Sequence, residues 1–357
     1  MNGNRKVIGL IGGLGNEAMV DLALKMSCVS GNTGNAYVVY GNSRLAYKPK
    51  EVGCDWADTD EPELRRADTA DYTARLMCHL GCSAVGLACN SAHDLFRRVM
   101  GNVPAEFVDM IVETAGTFRE TGGRVLVLGV TSLVDSGLYQ TALEKCGVTA
   151  LRASAGNQRK IMSAIYDAEF GIKTAKITAE AQSLICEVLC DEYERKKYSH
   201  VVLGCTELPL VLTPERFIRF RRDGLIPRSI EVVDASSVLA RKLVAAGDTC
   251  TSGGEVDMSL GSHTDWFPPA VFQVESLGEL ADIQSRVISL TAKYLDKRGR
   301  RLEGSYMHLP TFFGVGEVPH FAEKVSSLSS NFLAQQNDWE KKIDSILEAH
   351  FDSINLK

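Results

Sequence analysis

Val85-Gly86-Leu87-Ala88-Cys89-Asn90-Ser91-Ala92-His93 decides the reading of this chain, together with a distant partner, Val201-Val202-Leu203-Gly204-Cys205-Thr206-Glu207-Leu208-Pro209. Each is a short apolar run that ends in a cysteine, passes through a small polar residue and leads into an expected helix. An apolar run of this length bounded by turn residues reads as a buried strand. Open α/β sheets bind ligands outside the carboxyl ends of their strands, so both cysteines stand where chemistry is expected. Two thiols, one from each half of the chain, suggest a pair of acid–base groups facing each other. A thiolate at a helix N-terminus has a lowered pKa, so each is expected to act as a general base near neutral pH.

Working outward, Lys6–Ile11 is a strand candidate that exits through Gly12-Gly13-Leu14-Gly15 into a helix ending near Ser30. Tyr37–Tyr40 is a second strand, and the polar stretch after it carries Arg44, Lys48 and Lys50. Helices are expected over Glu63–Leu80 and Ser91–Val99, with a short strand at Glu106–Asp109. The pattern then restarts. Arg124–Leu128 is a strand with its exit at Gly129-Val130-Thr131-Ser132, Val148–Leu151 is another, and helices are expected over Asp135–Lys145, Gln158–Asp167 and Ala175–Arg195. Gly12 precedes Cys89 by almost the same distance as Gly129 precedes Cys205. A βαβ-rich unit used twice predicts two similar parallel-sheet α/β domains with a cleft between them. Residues 1–115 and 222–246 are assigned to the first, 116–221 to the second, and 247–357 to a linker and a mainly helical C-terminal extension.

In that extension, Gly247 to Pro269 reads as a linker. Phe321, Val325, Leu328, Phe332, Trp339, Ile343, Ile346 and Leu347 fall at helical spacing. Such a face fits packing on its own chain or a homodimer contact. A membrane-surface helix fits less well, because the polar side mixes acids with lysines.

Bulk properties narrow the class. A chain of 357 residues exceeds one average domain. No apolar run approaches the roughly 20 residues that span a bilayer. A net charge of -6 argues against a nucleic-acid partner. The opening residues lack the apolar core of a secretion signal, so the ten cysteines are read as reduced thiols in a cytoplasmic protein.

Three other chemistries compete. Gly13-Leu14-Gly15-Asn16-Glu17-Ala18 fits a dinucleotide fingerprint, but the second strand ends Val39-Tyr40-Gly41-Asn42 without the ribose-binding acid. Cys78 with Cys82, and Cys186 with Cys190, lack the C-x-x-C spacing of a zinc site and read as buried helix cysteines, and Cys28, Cys54, Cys146 and Cys250 are assigned no chemistry. A hydrolase would need a base beside its nucleophile. His93, one turn beyond Cys89, either tunes the thiol or serves packing, and no G-x-S-x-G elbow exists.

Cys89-Asn90-Ser91-Ala92-His93 resembles the first signature, Cys-Asn-Thr-Ala-His, of the cofactor-independent aspartate/glutamate racemase superfamily. Leu203-Gly204-Cys205-Thr206-Glu207-Leu208-Pro209 resembles its second, and Ile8 to Ala18, Gly137-Leu138-Tyr139-Gln140 and Val233-Asp234-Ala235 resemble lesser landmarks. The likeness covers about residues 5–246. It implies two α/β domains, an interdomain active site, no metal and no pyridoxal phosphate, and a small acidic amino acid as substrate. One thiolate would take the α-proton while the opposite thiol returns a proton to the other face. Carried over, Cys89 and Cys205 are the bases. Gly12, Asn90, Ser91, Thr131 and Thr206 are expected to hold the α-carboxylate with nearby N–H groups. Glu207, where glutamate racemases carry His, favours the aspartate branch. Arg44, then Lys48, and Lys173 are the candidate cations for a side-chain carboxylate. The same resemblance leaves open an isomerase or decarboxylase of a small dicarboxylic acid, or a binding homologue without turnover.

Overall fold

The computed structural model describes residues 6–31, 35–45, 62–249, 270–300, 309–326 and 339–353. Lys48, Cys54, Cys250, Pro268, Pro269, Leu328 and Phe332 lie outside them. The chain forms two compact units. One comprises residues 1–88, 95–108 and 240–357; the other comprises residues 89–94 and 109–239.

The first unit opens with β1 (Val7–Gly12), α1 (Asn16–Ser30), β2 (Ala36–Gly41), α2 (Pro62–His79) and β3 (Cys82–Leu87). α3 (His93–Met100) and β4 (Glu106–Val108) follow. β1, β2 and β3 are buried along their whole length, the pattern of parallel strands covered on both faces. β1 pairs in parallel with β2 and β3, and β3 with β4.

The second unit begins with α4 (Met110–Gly116), which Asp109 caps by accepting from the Ile111 and Val112 N–H groups at 2.9 and 3.0 Å. β5 (Arg124–Leu128), α5 (Thr131–Ser136), α6 (Leu138–Glu144), β6 (Thr149–Leu151), α7 (Ala155–Tyr166) and α8 (Ala179–Lys196) follow. β7 (His200–Leu203), α9 (Leu208–Val211), α10 (Pro214–Arg222) and β8 (Glu231–Asp234) complete it. Its four strands are all parallel, in the order β6-β5-β7-β8.

Two expectations change here. The single helix read over Asp135–Lys145 is broken at Gly137, whose left-handed backbone (φ 69°) ends α5 and starts α6. Residues 222–246 were assigned to the first domain, but β8 pairs with β7 in the second sheet. A strand of Glu-Val-Val-Asp gives no hint of which sheet it joins; only the pairing settles it.

α11 (Ala235–Thr249) leads toward the C-terminal region, which is mainly helical: α12 (Leu277–Asp296), α13 (Phe321–Ser326) and α14 (Trp339–Ser353). It also supplies β9 (Ala270–Val274) and β10 (Thr311–Val315) to the first sheet, giving the order β4-β3-β1-β2-β10-β9. β10 runs antiparallel to β2 and parallel to β9. Aromatic contacts tie this region down. Phe312 meets Tyr40 edge-on at 5.0 Å, and Phe272 stacks on Phe313 at the same distance. The expected helical face is buried at Phe321, Val325, Ile343 and Leu347.

One buried acid fixes α7 against α8 in the second unit. Glu192 is fully buried and accepts from the Ser154 N–H and the Asn157 amide at 2.7 Å each, with Lys196 at 2.9 Å. Burial alone would raise its pKa; Lys196 and the donors from Ser154 and Asn157 outweigh burial and bring it down to about 2. A depressed folded-state pKa adds stability above the unfolded value and loses it as pH falls through the folded one. Urea denaturation between pH 5 and 2 is therefore expected to show a steep acid loss in the native protein. Glu192→Gln should be less stable at neutral pH by roughly 3 kcal/mol and show a flatter acid limb; parallel pH curves for the two proteins would refute this.

Candidate active site

β3 ends at Leu87 and the chain turns through Ala88 into Cys89. His93 holds that turn. Its Nε2 accepts from the Met110 N–H at 3.1 Å, so its Nδ1 carries the proton and donates to the Cys89 carbonyl at 2.7 Å. His93 is fully buried, and both ring nitrogens are engaged by the backbone. Of the two roles open to it from sequence, the geometry gives the structural one. Cys89 is partly exposed, with Sγ 3.4 Å from the Ser91 hydroxyl. Asn90 is 2% exposed, and its Oδ1 accepts from the Tyr139 hydroxyl at 2.7 Å, while its Nδ2 finds no partner among the described residues.

The second cysteine turn follows β7 in the same unit as Cys89. The Gly204 N–H donates to the Leu128 carbonyl at 2.7 Å. A Cβ on Gly204 would stand 2.9 Å from that carbonyl oxygen, so only glycine lets the exits of β5 and β7 lie this close. Glu207 Oε2 accepts from Cys205 Sγ at 2.9 Å and from the Thr206 hydroxyl at 3.2 Å. Glu207 Oε1 is paired with Lys173, which stands in the 3-10 turn Ile172–Thr174. Cys205, Thr206 and Glu207 are all buried.

The charges of this cluster are interdependent. Burial alone would lower Lys173, but the Glu207 carboxylate outweighs it and the net shift is upward. Burial would raise Glu207, yet Lys173 and the thiol donor hold it below the ordinary carboxylate range. Cys205 is raised well above a free thiol, by burial first and by the Glu207 carboxylate second, with Lys173 opposing. This corrects the expectation of a lowered pKa at the second cysteine. α9 has only four residues, and the adjacent carboxylate outweighs any helix-terminus effect.

Three further residues, assigned no role from sequence, belong to this region. Gln158, in α7, donates from Nε2 to the Gly129 carbonyl at 2.9 Å and to the Thr131 hydroxyl at 3.4 Å. Thr131 Oγ1 thus accepts from the protein and keeps its own O–H to donate. Tyr166, at the end of α7, has its ring centroid 5.7 Å from Lys173 Nζ. Its phenol is pushed up by burial, Lys173 opposes, and the charges of Cys205, Glu207 and Cys89 add to the rise. Tyr139 was noted as part of a landmark motif, without a role. Gln158 and Tyr166 carry no local signal, because their importance comes from α7 folding back over the strand exits.

A family model described as Asp/Glu/Hydantoin racemase matches residues 8–243. The chain belongs to this racemase family. Solved structures share the fold of the matched region. An aspartate racemase from Picrophilus torridus superposes with a TM-score of 0.53 at 22% identity, covering 68% of this chain and 94% of its own. An aspartate racemase homologue from Pyrococcus horikoshii gives 0.51 at 21%, covering 68% and 99%. A glutamate racemase isoform from Bacillus anthracis gives 0.50 at 15%, covering 68% and 81%.

Eight of the site candidates of this racemase lie in the second unit: Cys89, Asn90, Ser91, Thr131, Lys173, Cys205, Thr206 and Glu207. Gly12 and Arg44 belong to the first unit. Gly12 ends β1, where a Cβ would stand 2.4 Å from Met19 Sδ. Gly13 has φ +93°, and a Cβ there would stand 2.4 Å from the Asn42 backbone N. The glycines of this turn are accounted for by the close approach of the β1 and β2 exits, with no appeal to a nucleotide. Arg44 lies in the 3-10 turn Ser43–Leu45. Burial raises the thiols of Cys78 and Cys82, and it raises Cys186 to about 11, as expected of packing cysteines.

The cluster generates a test. In a Cys89→Ser background, the midpoint for alkylation of Cys205 should lie well above neutrality. Glu207→Gln removes the anion and leaves Lys173 to act alone, so the midpoint should fall. An unchanged or higher midpoint would contradict the electrostatic account.

Proposed function

We propose that this protein interconverts the enantiomers of aspartate by proton transfer between Cys89 and Cys205, without a cofactor. The assignment rests on one observation. The Tyr139 hydroxyl donates to Asn90, beside Cys89, while its ring lies against Gly204, beside Cys205, so the two cysteine turns meet at one side chain. Racemisation needs two groups, because a single base returns the proton to the face it came from. The raised pKa of Cys205 fits it to deliver a proton, and Cys89 is the base that removes one. The sulfur left behind as an anion at Cys205 is balanced by Lys173.

The α-carboxylate must be held while negative charge develops beside it. The Asn90 Nδ2 and the Thr131 and Ser91 hydroxyls supply donors of the kind that stabilise such charge. Lys173 is the cation for the side-chain carboxylate on this unit, and Arg44 is the candidate on the other. Lys173 already carries Glu207, so the substrate carboxylate would share it. A compact acid such as aspartate suits that position.

Purified protein incubated with L-aspartate in deuterated water should yield D-aspartate carrying deuterium at the α-carbon. Cys89→Ser and Cys205→Ser should each lower racemisation by about three orders of magnitude or more, the scale of losing a general acid–base group. Either variant keeping most of the activity would rule out two-base chemistry. Released carbon dioxide would point to a decarboxylase instead, and ligand-induced thermal stabilisation without exchange to a binding protein. Lys173→Met should raise KM for aspartate at least tenfold; unchanged aspartate kinetics would remove Lys173 from substrate recognition.

A further inference from the structure

We infer that Tyr139 is a positioning residue that aims the Asn90 amide at the substrate and ties the two cysteine turns together. This rests on the racemase reading above and adds a residue to it. Tyr139 is fully buried in the first turn of α6, placed there by the left-handed backbone at Gly137. Its hydroxyl donates to Asn90 Oδ1 at 2.7 Å, one residue beyond Cys89. Its ring packs beside Gly204, one residue before Cys205, where a Cβ would stand 3.2 Å from Tyr139 Cε2. One side chain thus touches the backbone neighbourhood of both thiols.

The hydrogen bond has a direction. Burial pushes the Tyr139 phenol far above its ordinary value, so it stays protonated at every working pH and is available as a donor. An amide that accepts through Oδ1 must present Nδ2 on the opposite side. That Nδ2 is buried and has no partner among the described residues. An unpaired buried donor costs free energy, and such a group in a native site calls for a ligand. A carboxylate oxygen of the substrate satisfies it. Without the phenol the amide would lose the contact that fixes its orientation, and either end could face the substrate. The oxygen end would repel a carboxylate.

The experiment is a double-mutant cycle on the full chain with Tyr139→Phe and Asn90→Ala, read as kcat and KM for L-aspartate. Tyr139→Phe keeps the ring and removes one oxygen. It should fold, with an unchanged circular dichroism spectrum, and lose about tenfold in kcat/KM, the worth of one hydrogen bond. In the Asn90→Ala background the same change should have almost no effect, because the group it positions is gone. Independent losses that multiply would overturn the inference, as would full activity in Tyr139→Phe. A Tyr139→Phe protein that fails to fold would make the hydroxyl structural and overturn it too. If wild-type protein shows no racemisation or α-proton exchange, the racemase reading itself fails; if wild type turns over and the cycle is additive, only the role of Tyr139 fails.

Discussion

The Glu207 carboxylate is the interaction on which the second cysteine turn depends. One oxygen receives Lys173; the other receives the Cys205 thiol and the Thr206 hydroxyl. A buried carboxylate without such partners would take up a proton. Here three donors keep it ionised, and its charge sets the state of everything around it. Cys205 is held as a thiol, Lys173 as an ammonium, and Thr206 is oriented as a donor. None of these residues behaves as it would alone. Burial pushes the lysine down and the thiol up, and the Glu207 charge raises both.

The scaffold explains how such a cluster is held. Strand exits from a parallel sheet converge because their strands are hydrogen-bonded neighbours, so β5 and β7 deliver Gly129 and Gly204 side by side. Glycine at both exits removes the Cβ that would separate them. α7 lies over these exits and is anchored at its start by Glu192, which receives Ser154 and Asn157. That anchor places Gln158 on the Gly129 carbonyl. The path from a buried acid in α8 to a hydroxyl at the site is therefore a chain of named hydrogen bonds.

Much of this was legible in the residues. The strand runs before Cys89 and Cys205 are apolar throughout, and each is a buried parallel strand. The repeat of a strand, its glycine exit and a later cysteine foretold two sheets of similar make. Other features depend on contacts between residues remote in sequence. Nothing near Cys205 reveals that Lys173 will neutralise Glu207, so the direction of its pKa shift was read the wrong way. His93, one helical turn after Cys89, stands open between tuning the thiol and packing until the fold brings it Met110 as a partner. β9 and β10 were missed because Ala270–Val274 and Thr311–Val315 sit in a region whose dominant pattern is helical, and strands this short are called by their neighbours.

The placement of β10 has a consequence beyond the site. The family match ends at residue 243, yet β2, which belongs to the matched region, hydrogen-bonds along its outer side to β10 from far beyond it. A chain cut at the end of the family region would leave that side of β2 with a row of open backbone donors and acceptors, a template for pairing with other molecules. The C-terminal segment thus seals a border of the family-matched sheet that a chain ending at the family boundary would leave open.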